Sequence, residues 1–268
     1  MLVFYEISLT LSKWERNATD YSHAQLLFLQ AVYTAQQGRF DSLAFDLIHD
    51  GMNDLREDCG LATTAVGELI EDGLLRHDTD TPRTLYTVTP EGRDLLCEPH
   101  RTGDAHGHGV DDVAESSLHT LLIELGHRYI EQQFIATEES AAAKAHRYHD
   151  APDRTHRYDA VGLDAAGDIV ITLEVERPNH DVRRPVPDNY DKLAAPGPEA
   201  AIWVTRTHVE AHTILDALNQ PLNGSPRVER TYSEDSLPSQ WRTDALGFTE
   251  LQTTEMLLRD LDIDAMSQ

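Results

Sequence analysis

Residues 157–176 contain two runs of strand-forming residues joined by a short polar turn. The first run covers residues 157–163 and the second covers residues 168–176, with Gly167 closing the turn between them. Two such runs on either side of a short turn predict a β-hairpin. Because every second residue of a strand lies on the same face, this hairpin determines which side chains meet at its open end.

Three carboxylates are expected to meet at that open end. Asp159 stands near the start of the first strand, while Glu174 and Glu176 end the second strand and share one face. Carboxylate oxygens are the ligands that Mg²⁺ prefers, and Mn²⁺ accepts the same set. Such an ion would activate water and stabilise charge during phosphodiester cleavage. The alternative is three exposed acids in a chain that is rich in acids.

The net charge of the chain indicates the salt concentration in which the protein works, and it says less about the partners of the protein. Asp and Glu number 47 against 22 Lys and Arg, giving a net charge of −25, and the acids are spread through the whole sequence. This diffuse acidity predicts a halophilic protein. At molar salt the Debye length falls to about 3 Å, so the net charge does not exclude DNA as a partner.

Basic residues concentrate around the three acids. Residues 144–184 carry seven Lys and Arg against eight Asp and Glu, so this stretch is almost neutral. We expect Arg147, Arg157 and Arg177 to bind DNA phosphates, since the guanidinium group of arginine donates hydrogen bonds to phosphate oxygens. Lys192, one of three lysines in the chain, follows in the cluster Tyr190-Asp191-Lys192. The alternative is a salt-bridged surface loop that contributes little to stability.

Several classes of protein are not expected. No apolar run approaches the roughly 20 residues that span a bilayer, so we expect no membrane partner. The first residues lack the basic segment of a secretory signal, and two cysteines make no disulfide framework. The sequence therefore predicts a cytoplasmic protein.

Residues 21–97 carry the pattern of a winged helix-turn-helix. Helices are predicted at 22–37, 42–56 and 61–73, a hairpin at 74–88, and a last helix from Thr89-Pro90. The segments 69–75 (LIEDGLL) and 85–96 (LYTVTPEGRDLL) resemble MarR- and PadR-like regulators. Residues 1–20 are treated as an N-terminal extension, with a strand predicted at 2–11.

The winged helix offers four candidate DNA contacts. Thr63 and Thr64 lie on the expected outer face of the recognition helix, and Arg76 and Arg83 lie in the wing. The same helix also carries acids, so the alternative is a module for dimerisation or protein contact. That alternative leaves a homodimer open.

Residues 98–112 are predicted to be a flexible linker because glycine separates its histidines. Cys97, His100, His106 and His108 are metal-capable side chains, but their spacing matches no zinc pattern. The linker leads into residues 113–268, the second domain.

Residues 113–268 predict a mixed α/β domain. A helix is expected at 113–133 and strands at 134–137, 157–163, 168–176 and 201–205, followed by a helix at 207–218 and a strand at 227–232. The order of these elements is the basis of the fold prediction.

Four short motifs in this domain resemble PD-(D/E)xK nucleases, and more narrowly the replication–relaxation (plasmid mobilisation relaxase-like) proteins. They are Leu118-His119-Thr120-Leu121, Asp159, Glu174-Val175-Glu176 and Tyr190-Asp191-Lys192-Leu193. The resemblance implies an α+β protein overall: an N-terminal winged helix-turn-helix followed by a mixed-sheet, restriction-endonuclease-like domain. It implies catalytic roles for Asp159, Glu174, Glu176, Lys192 and His119, and a metal held by the three acids.

The sequence departs from the nuclease pattern at one position. Where that family usually has lysine, this chain has Glu176, and a positive charge must come from Arg177 or Lys192. His119 and Glu124 are weaker acid–base candidates on the first helix of the domain.

The sequence therefore predicts a DNA-binding protein of a plasmid or virus that nicks DNA with Mg²⁺ or Mn²⁺ during replication or mobilisation. The alternatives are a non-enzymatic transcriptional or copy-number regulator that keeps a degenerate nuclease fold, and a protein–protein adaptor without DNA contact.

Overall fold

The computed structural model describes residues 7–41, 45–101, 109, 112, 115–152, 154, 156–177, 182–228, 236 and 241–263. Within these residues, the protein contains both helices and strands, including a six-stranded mixed sheet. Its overall class is α+β. The chain divides into two compact units. Among the described residues, those up to Leu121 belong to the first unit and those from Leu122 onward belong to the second.

The first unit consists of helices around a two-stranded hairpin. Its elements are α1 (Lys13–Asn17), α2 (His23–Gln36), α3 (Met52–Asp58), α4 (Thr63–Glu71), β1 (Leu75–Thr79), β2 (Leu85–Val88) and α5 (Pro90–Leu95). Ser22 caps α2 and forms a capping box with Gln25, which explains why the helix begins there. β1 and β2 pair antiparallel with Leu75 opposite Val88.

Two predictions for the first unit are wrong. The single helix predicted at 42–56 does not form over its described part before Met52, because Asp46 accepts a hydrogen bond from the backbone N–H of Ile48 and stabilises a turn. Residues 7–11, the described part of the predicted strand at 2–11, are not in a strand. Thr10 instead donates a hydrogen bond to Leu96 O, at 2.6 Å, and ties the extension to the first unit.

The second unit is built on a sheet with the strand order β3-β4-β5-β6-β8-β7. The strands are β3 (Lys144–Asp150), β4 (Arg157–Leu163), β5 (Ile169–Val175), β6 (Ala200–Thr205), β7 (Arg242–Ala245) and β8 (Phe248–Thr253). β3, β4 and β5 form an antiparallel meander, whereas β5, β6 and β8 run parallel. The helices are α6 (Ser117–Ile130), which belongs to this unit from Leu122 onward, α7 (Pro185–Ala194), α8 (His208–Asn219) and α9 (Thr254–Asp260).

Helices pack on both faces of this sheet. α7 is the crossover between the parallel strands β5 and β6, and its Val186 and Leu193 are buried with Trp203 in one core cluster. On the other face, Leu173 packs against Gly126 of α6 so closely that a Cβ at position 126 would lie 2.6 Å from Leu173 Cδ1. The sheet is therefore buried from both sides at its centre.

The structure corrects three expectations for the second unit. The strand predicted at 134–137 is wrong, because Glu131–Ile135 forms a π-helical turn that continues α6. No strand is predicted at 144–150, but β3 forms there and pairs with β4 as an edge strand. Arg227 and Val228, the described part of the strand predicted at 227–232, are not in a strand, and residues 229–232 lie outside the described residues.

Among the described residues, no helix is both long and apolar enough to cross a membrane.

Candidate active site

The predicted hairpin positions two acids at the end of the central strands. Ala160 of β4 pairs with Leu173 of β5, so Asp159 and Glu174 are the next residues on the two strands. Both side chains therefore lie on the face that α7 covers, where Thr172 donates a hydrogen bond to Leu193 O. Asp159 and Glu174 are each 8 % exposed, so two carboxylates are buried side by side.

Asp159 is fixed by the backbone of the neighbouring strand. Its Oδ2 accepts a hydrogen bond from the N–H of Val175 at 2.7 Å. This bond occurs where regular pairing between β4 and β5 has ended, so the side chain takes the place of a missing strand partner. The geometry holds one oxygen of Asp159 in a set position.

Lys192 reaches Glu174 from α7. Its Nζ lies 2.5 Å from Glu174 Oε1 and also donates to the backbone O of Arg157 at 3.3 Å. The end of α7 is held in place by the hydroxyl of Tyr158, which donates to Lys192 O at 3.3 Å. The lysine beside the two acids thus comes from α7, the crossover helix, whereas the strand position where the resemblance predicts a lysine carries Glu176.

Burial controls the protonation of this pair. It raises the pKa of Glu174 to about 8; Lys192 opposes that shift, while Asp159 and Glu176 reinforce it. Burial alone would lower the pKa of Lys192, but the carboxylates of Glu174, Asp159 and Glu176 together outweigh it and raise the pKa. Lys192 is consequently an ammonium at neutral pH.

One oxygen of the site lacks a hydrogen-bond partner among the described residues. Glu174 Oε2 is buried, and no donor in the described part of the chain reaches it. An unsatisfied buried acceptor is costly and is uncommon in folded proteins. The atom is therefore suited to a ligand, such as a cation, that the protein itself does not supply.

Glu176 differs from the other two acids in its surroundings. It follows the last residue of β5, is partly exposed, and its Oε2 accepts a hydrogen bond from Asn189 Nδ2 at 2.8 Å. Asn189 and Lys192 are three residues apart on α7 and so share one face of the helix. Sequence analysis missed Asn189, although this spacing from Lys192 is a signal that could have found it.

The acids of the site are of a type that binds a divalent cation, but they are not arranged as a ready-made metal site. Over the described part of the chain, no three His, Cys, Asp or Glu side chains are grouped in a way that could hold a metal ion. Each of the three acids already has one oxygen bonded by the protein. Mg²⁺, however, commonly takes only one or two carboxylates and completes its shell with water and phosphate. Asp159 and Glu174 suit such a two-carboxylate site.

The arginines predicted to bind phosphate near this site have different surroundings. Arg157 Nε donates to Asp150 Oδ1 at 2.6 Å, and Arg147 pairs with Glu124 of α6. Arg177 directly follows Glu176 and is exposed. The guanidinium groups of Arg147 and Arg157 thus already have a carboxylate partner within the protein.

In the first unit, three of the four candidate DNA contacts are accessible. Thr63 and Thr64 are exposed in the first turn of α4, and Arg76 is about half exposed with its Nε 2.9 Å from Asp78 Oδ1. Arg83 differs, because it is 5 % exposed and its Nε donates to Ile48 O at 2.7 Å. Arg83 thus packs within this unit, and its contact with a DNA phosphate stays a prediction.

His119 is assigned to the first unit, whereas Asp159, Glu174 and Lys192 belong to the second. His119 is buried, and its Nδ1 lies 2.5 Å from Oε1 of Glu115, which is buried as well. Its described acid–base partner is therefore Glu115.

The alternative metal ligands near the linker do not come together in the described part. Cys97 is exposed and its Sγ contacts Glu15, while His100 Nε2 lies 2.7 Å from Asp94 Oδ1. His106 and His108 lie outside the described residues.

Comparison of the chain with family models, with curated proteins and with solved structures gives no match.

Proposed function

We propose that the chain is a DNA-binding protein of a mobile element whose second unit nicks DNA with a divalent cation. The observation that carries the proposal is the buried set of Asp159, Glu174 and Lys192, with Glu174 Oε2 left without a partner among the described residues. Two acids and a lysine at the end of a mixed sheet are what the resemblance to PD-(D/E)xK nucleases implies. The lysine here would come from α7.

Each residue of the set has a role that follows from its environment. Asp159 and Glu174 would hold the cation, which, when bound, polarises the phosphodiester and lowers the pKa of water. Lys192 is an ammonium at neutral pH, so it would stabilise negative charge on the phosphate and not act as a base. Binding of the cation would replace the proton that burial favours on Glu174.

The first unit would bring the protein to DNA. The exposed Thr63 and Thr64 at the start of α4 and the exposed Arg76 in the hairpin suit a winged-helix contact with duplex DNA. In molar salt only short-range contacts persist, so the net charge of −25 does not oppose this role.

One observation favours a second function, a non-enzymatic regulator. Lys192 already pairs with Glu174 within the protein, and each acid of the site has a protein partner. A nuclease-like domain kept for binding would keep its acids and its lysine paired within the protein in this way. The two functions differ in whether the site takes a metal ion.

A plasmid assay separates them. Supercoiled plasmid is incubated with the full chain and MgCl₂ in molar KCl, and open-circle DNA is measured for the wild type, Glu174→Gln and Glu255→Gln. Glu255 is an exposed carboxylate at the start of α9 and serves as the matched control. We expect nicking by the wild type and the control, and loss of nicking in Glu174→Gln.

Metal binding supplies an independent readout. Titration with Mn²⁺, followed by its electron paramagnetic resonance signal, should show a site in the wild type that Glu174→Gln weakens at least tenfold. DNA binding by the wild type without Mn²⁺ binding or nicking would support the regulator. Failure to bind DNA at every salt concentration would overturn both functions.

A further inference from the structure

A small pocket lies within the first unit, between α1 and the start of α2. Its volume is about 320 Å³, at the small end of the range for ligand pockets. It is lined by Lys13, Arg16, Asn17, Tyr21, His23 and Leu26. Five of these six side chains are polar, and three of them carry or can carry positive charge.

α1 presents its basic residues on one face. Lys13, Arg16 and Asn17 are spaced i, i+3 and i+4, so their side chains project from the same side of the helix. Glu15, the acid of this helix, caps the N-terminus of α1, because its Oε2 accepts a hydrogen bond from the N–H of Ser12 in a capping box. The local sequence thus separates the two cations from the neighbouring carboxylate.

These two cations have no carboxylate partner in the described part of the chain. Within the described residues, neither Lys13 nor Arg16 forms an ion pair, and Arg16 Nε is buried without a hydrogen-bond partner. Many other arginines in the described part of the chain do have a carboxylate partner, among them Arg56, Arg76 and Arg128. Two adjacent unpaired cations lining one concavity therefore point to an anion from outside the protein.

The second wall of the pocket adds to its positive potential. His23 is the first residue of α2, a 14-residue helix whose N-terminal end carries partial positive charge. Tyr21 also lines the pocket, and its hydroxyl donates to Asp72 Oδ2 at 3.1 Å, which places one acid close to it. The remaining polar group is the amide of Asn17, a donor suited to an oxyanion.

We propose that this pocket binds a phosphate-class oxyanion, either a free phosphate group or a phosphate of the DNA backbone. Arg16 and Lys13 supply charge-assisted hydrogen bonds, and His23 and Asn17 supply further donors. The site lies entirely in the first unit and does not depend on the acids and lysine of the second unit. Direct contact of this kind persists in concentrated salt, where long-range attraction is screened.

Trp14 offers a local probe. It is 78 % exposed on α1 between the two cations, whereas Trp203 and Trp241 are fully buried. Inorganic phosphate is exchanged for chloride at constant ionic strength, and the tryptophan fluorescence of the full chain is followed. A Trp14→Phe variant identifies the part of the signal that comes from α1.

We expect saturable binding by the wild type and at least a tenfold loss of affinity in Lys13→Gln/Arg16→Gln. Lys13→Gln alone changes an exposed side chain, so it keeps the test valid if the double variant folds poorly. Arg259→Gln removes an exposed charge at the end of α9 and should bind phosphate like the wild type. No saturable response in the wild type, or an equal loss in Arg259→Gln, would overturn the proposal.

A labelled DNA duplex then identifies the source of the phosphate. If phosphate competes with the duplex and Lys13→Gln/Arg16→Gln weakens duplex binding, the pocket takes a backbone phosphate. If phosphate binds but the duplex affinity is the same in wild type and variant, the pocket takes a free phosphate group. Plasmid nicking by the second unit is measured separately, so a failure of one proposal is distinguishable from a failure of the other.

Discussion

Lys192 Nζ lies 2.5 Å from Glu174 Oε1, and both side chains are largely withdrawn from water. The two residues come from different elements, because Glu174 lies near the end of β5 and Lys192 lies in the last turn of α7. Once Glu174 is ionised, an ion pair in such a place gains Coulomb energy but loses the hydration of both charges. The pair is therefore expected to matter most when only one of its members is removed.

Replacing Lys192 by Met should destabilise the protein more at high pH than at low pH. Lys192 holds the pKa of Glu174 down, so without it at pH 9 the buried side chain either keeps a proton against solvent or is a carboxylate without its cation, and this costs on the order of 1 kcal/mol of unfolding free energy. At pH 6 the carboxyl can take up a proton, because burial already raises its pKa to about 8. Urea unfolding in molar KCl at both pH values measures the difference.

The double variant Glu174→Gln/Lys192→Met completes a thermodynamic cycle for this pair. It leaves no charge on either member, so its unfolding free energy at pH 9 should exceed that of Lys192→Met alone. Equal values for the single and the double variant would contradict the importance of the uncompensated carboxylate.

The raised pKa of Glu174 also predicts how stability depends on pH. Its pKa is about 8 in the folded protein against an ordinary value of 4.5, so between these pH values the folded state binds more protons than the unfolded state. The unfolding free energy therefore falls as pH rises through this window. Lys192 changes little in the same range, because its raised pKa lies above an ordinary 10.5.

Glu174→Gln should flatten this dependence. Unfolding midpoints measured with EDTA between pH 5 and pH 8 should decline more steeply for the wild type than for the variant. Glu250, whose pKa burial also raises, is present in both proteins, so the difference between the two curves isolates Glu174. Parallel curves would show that Glu174 does not retain its proton in the folded state.

The hairpin was predictable because its signal is local. The strands at 157–163 and 169–175 follow from apolar runs around a turn, and the proximity of Asp159 to Glu174 follows from that register. The contact with Lys192 depends on the path of α7 across the sheet, which no local pattern specifies. The sequence therefore identified Lys192 as a candidate site residue, and only the structure shows its contact with Glu174.

The wrong strand prediction at 134–137 and the missed strand β3 also arise because tertiary contacts decide the conformation of these segments. Residues 134–137 are apolar enough for a strand, but α6 continues past Ile130 into a π-helical turn in which Phe134 packs edge-on against Tyr129. β3 carries histidines and arginine, so its sequence lacks the apolar alternation of a buried strand, and pairing with β4 decides its conformation. Tertiary contacts override weak local preference in both cases.

Arg76 and Arg83 should behave differently in DNA binding. Arg76 is exposed in the hairpin, so Arg76→Ala should weaken duplex binding and lower the slope of log affinity against log salt by about 1. Arg83 is buried and its guanidinium Nε donates to Ile48 O, so Arg83→Ala should reduce stability by about 1–3 kcal/mol. Fluorescence anisotropy across a series of KCl concentrations, with urea unfolding of the same variants, separates the effects. A reduced salt slope in folded Arg83→Ala would contradict its assignment to packing.

Two glycines within helices of the first unit should respond in opposite ways to the same substitution. A Cβ on Gly92 of α5 would lie 2.2 Å from Leu74 O, and a backbone atom cannot move aside as the end of a side chain can. Gly92→Ala should therefore lower the unfolding free energy by about 3 kcal/mol or more, through overpacking against Leu74 and against Val88 of β2. A Cβ on Gly67 of α4 would meet no atom within 4 Å. Gly67→Ala should stabilise the protein by up to about 1 kcal/mol, since alanine favours a helix interior over glycine. Thermal unfolding of both variants in the same molar KCl buffer tests the pair, and a loss of stability in Gly67→Ala as large as that in Gly92→Ala would contradict the packing described for α5.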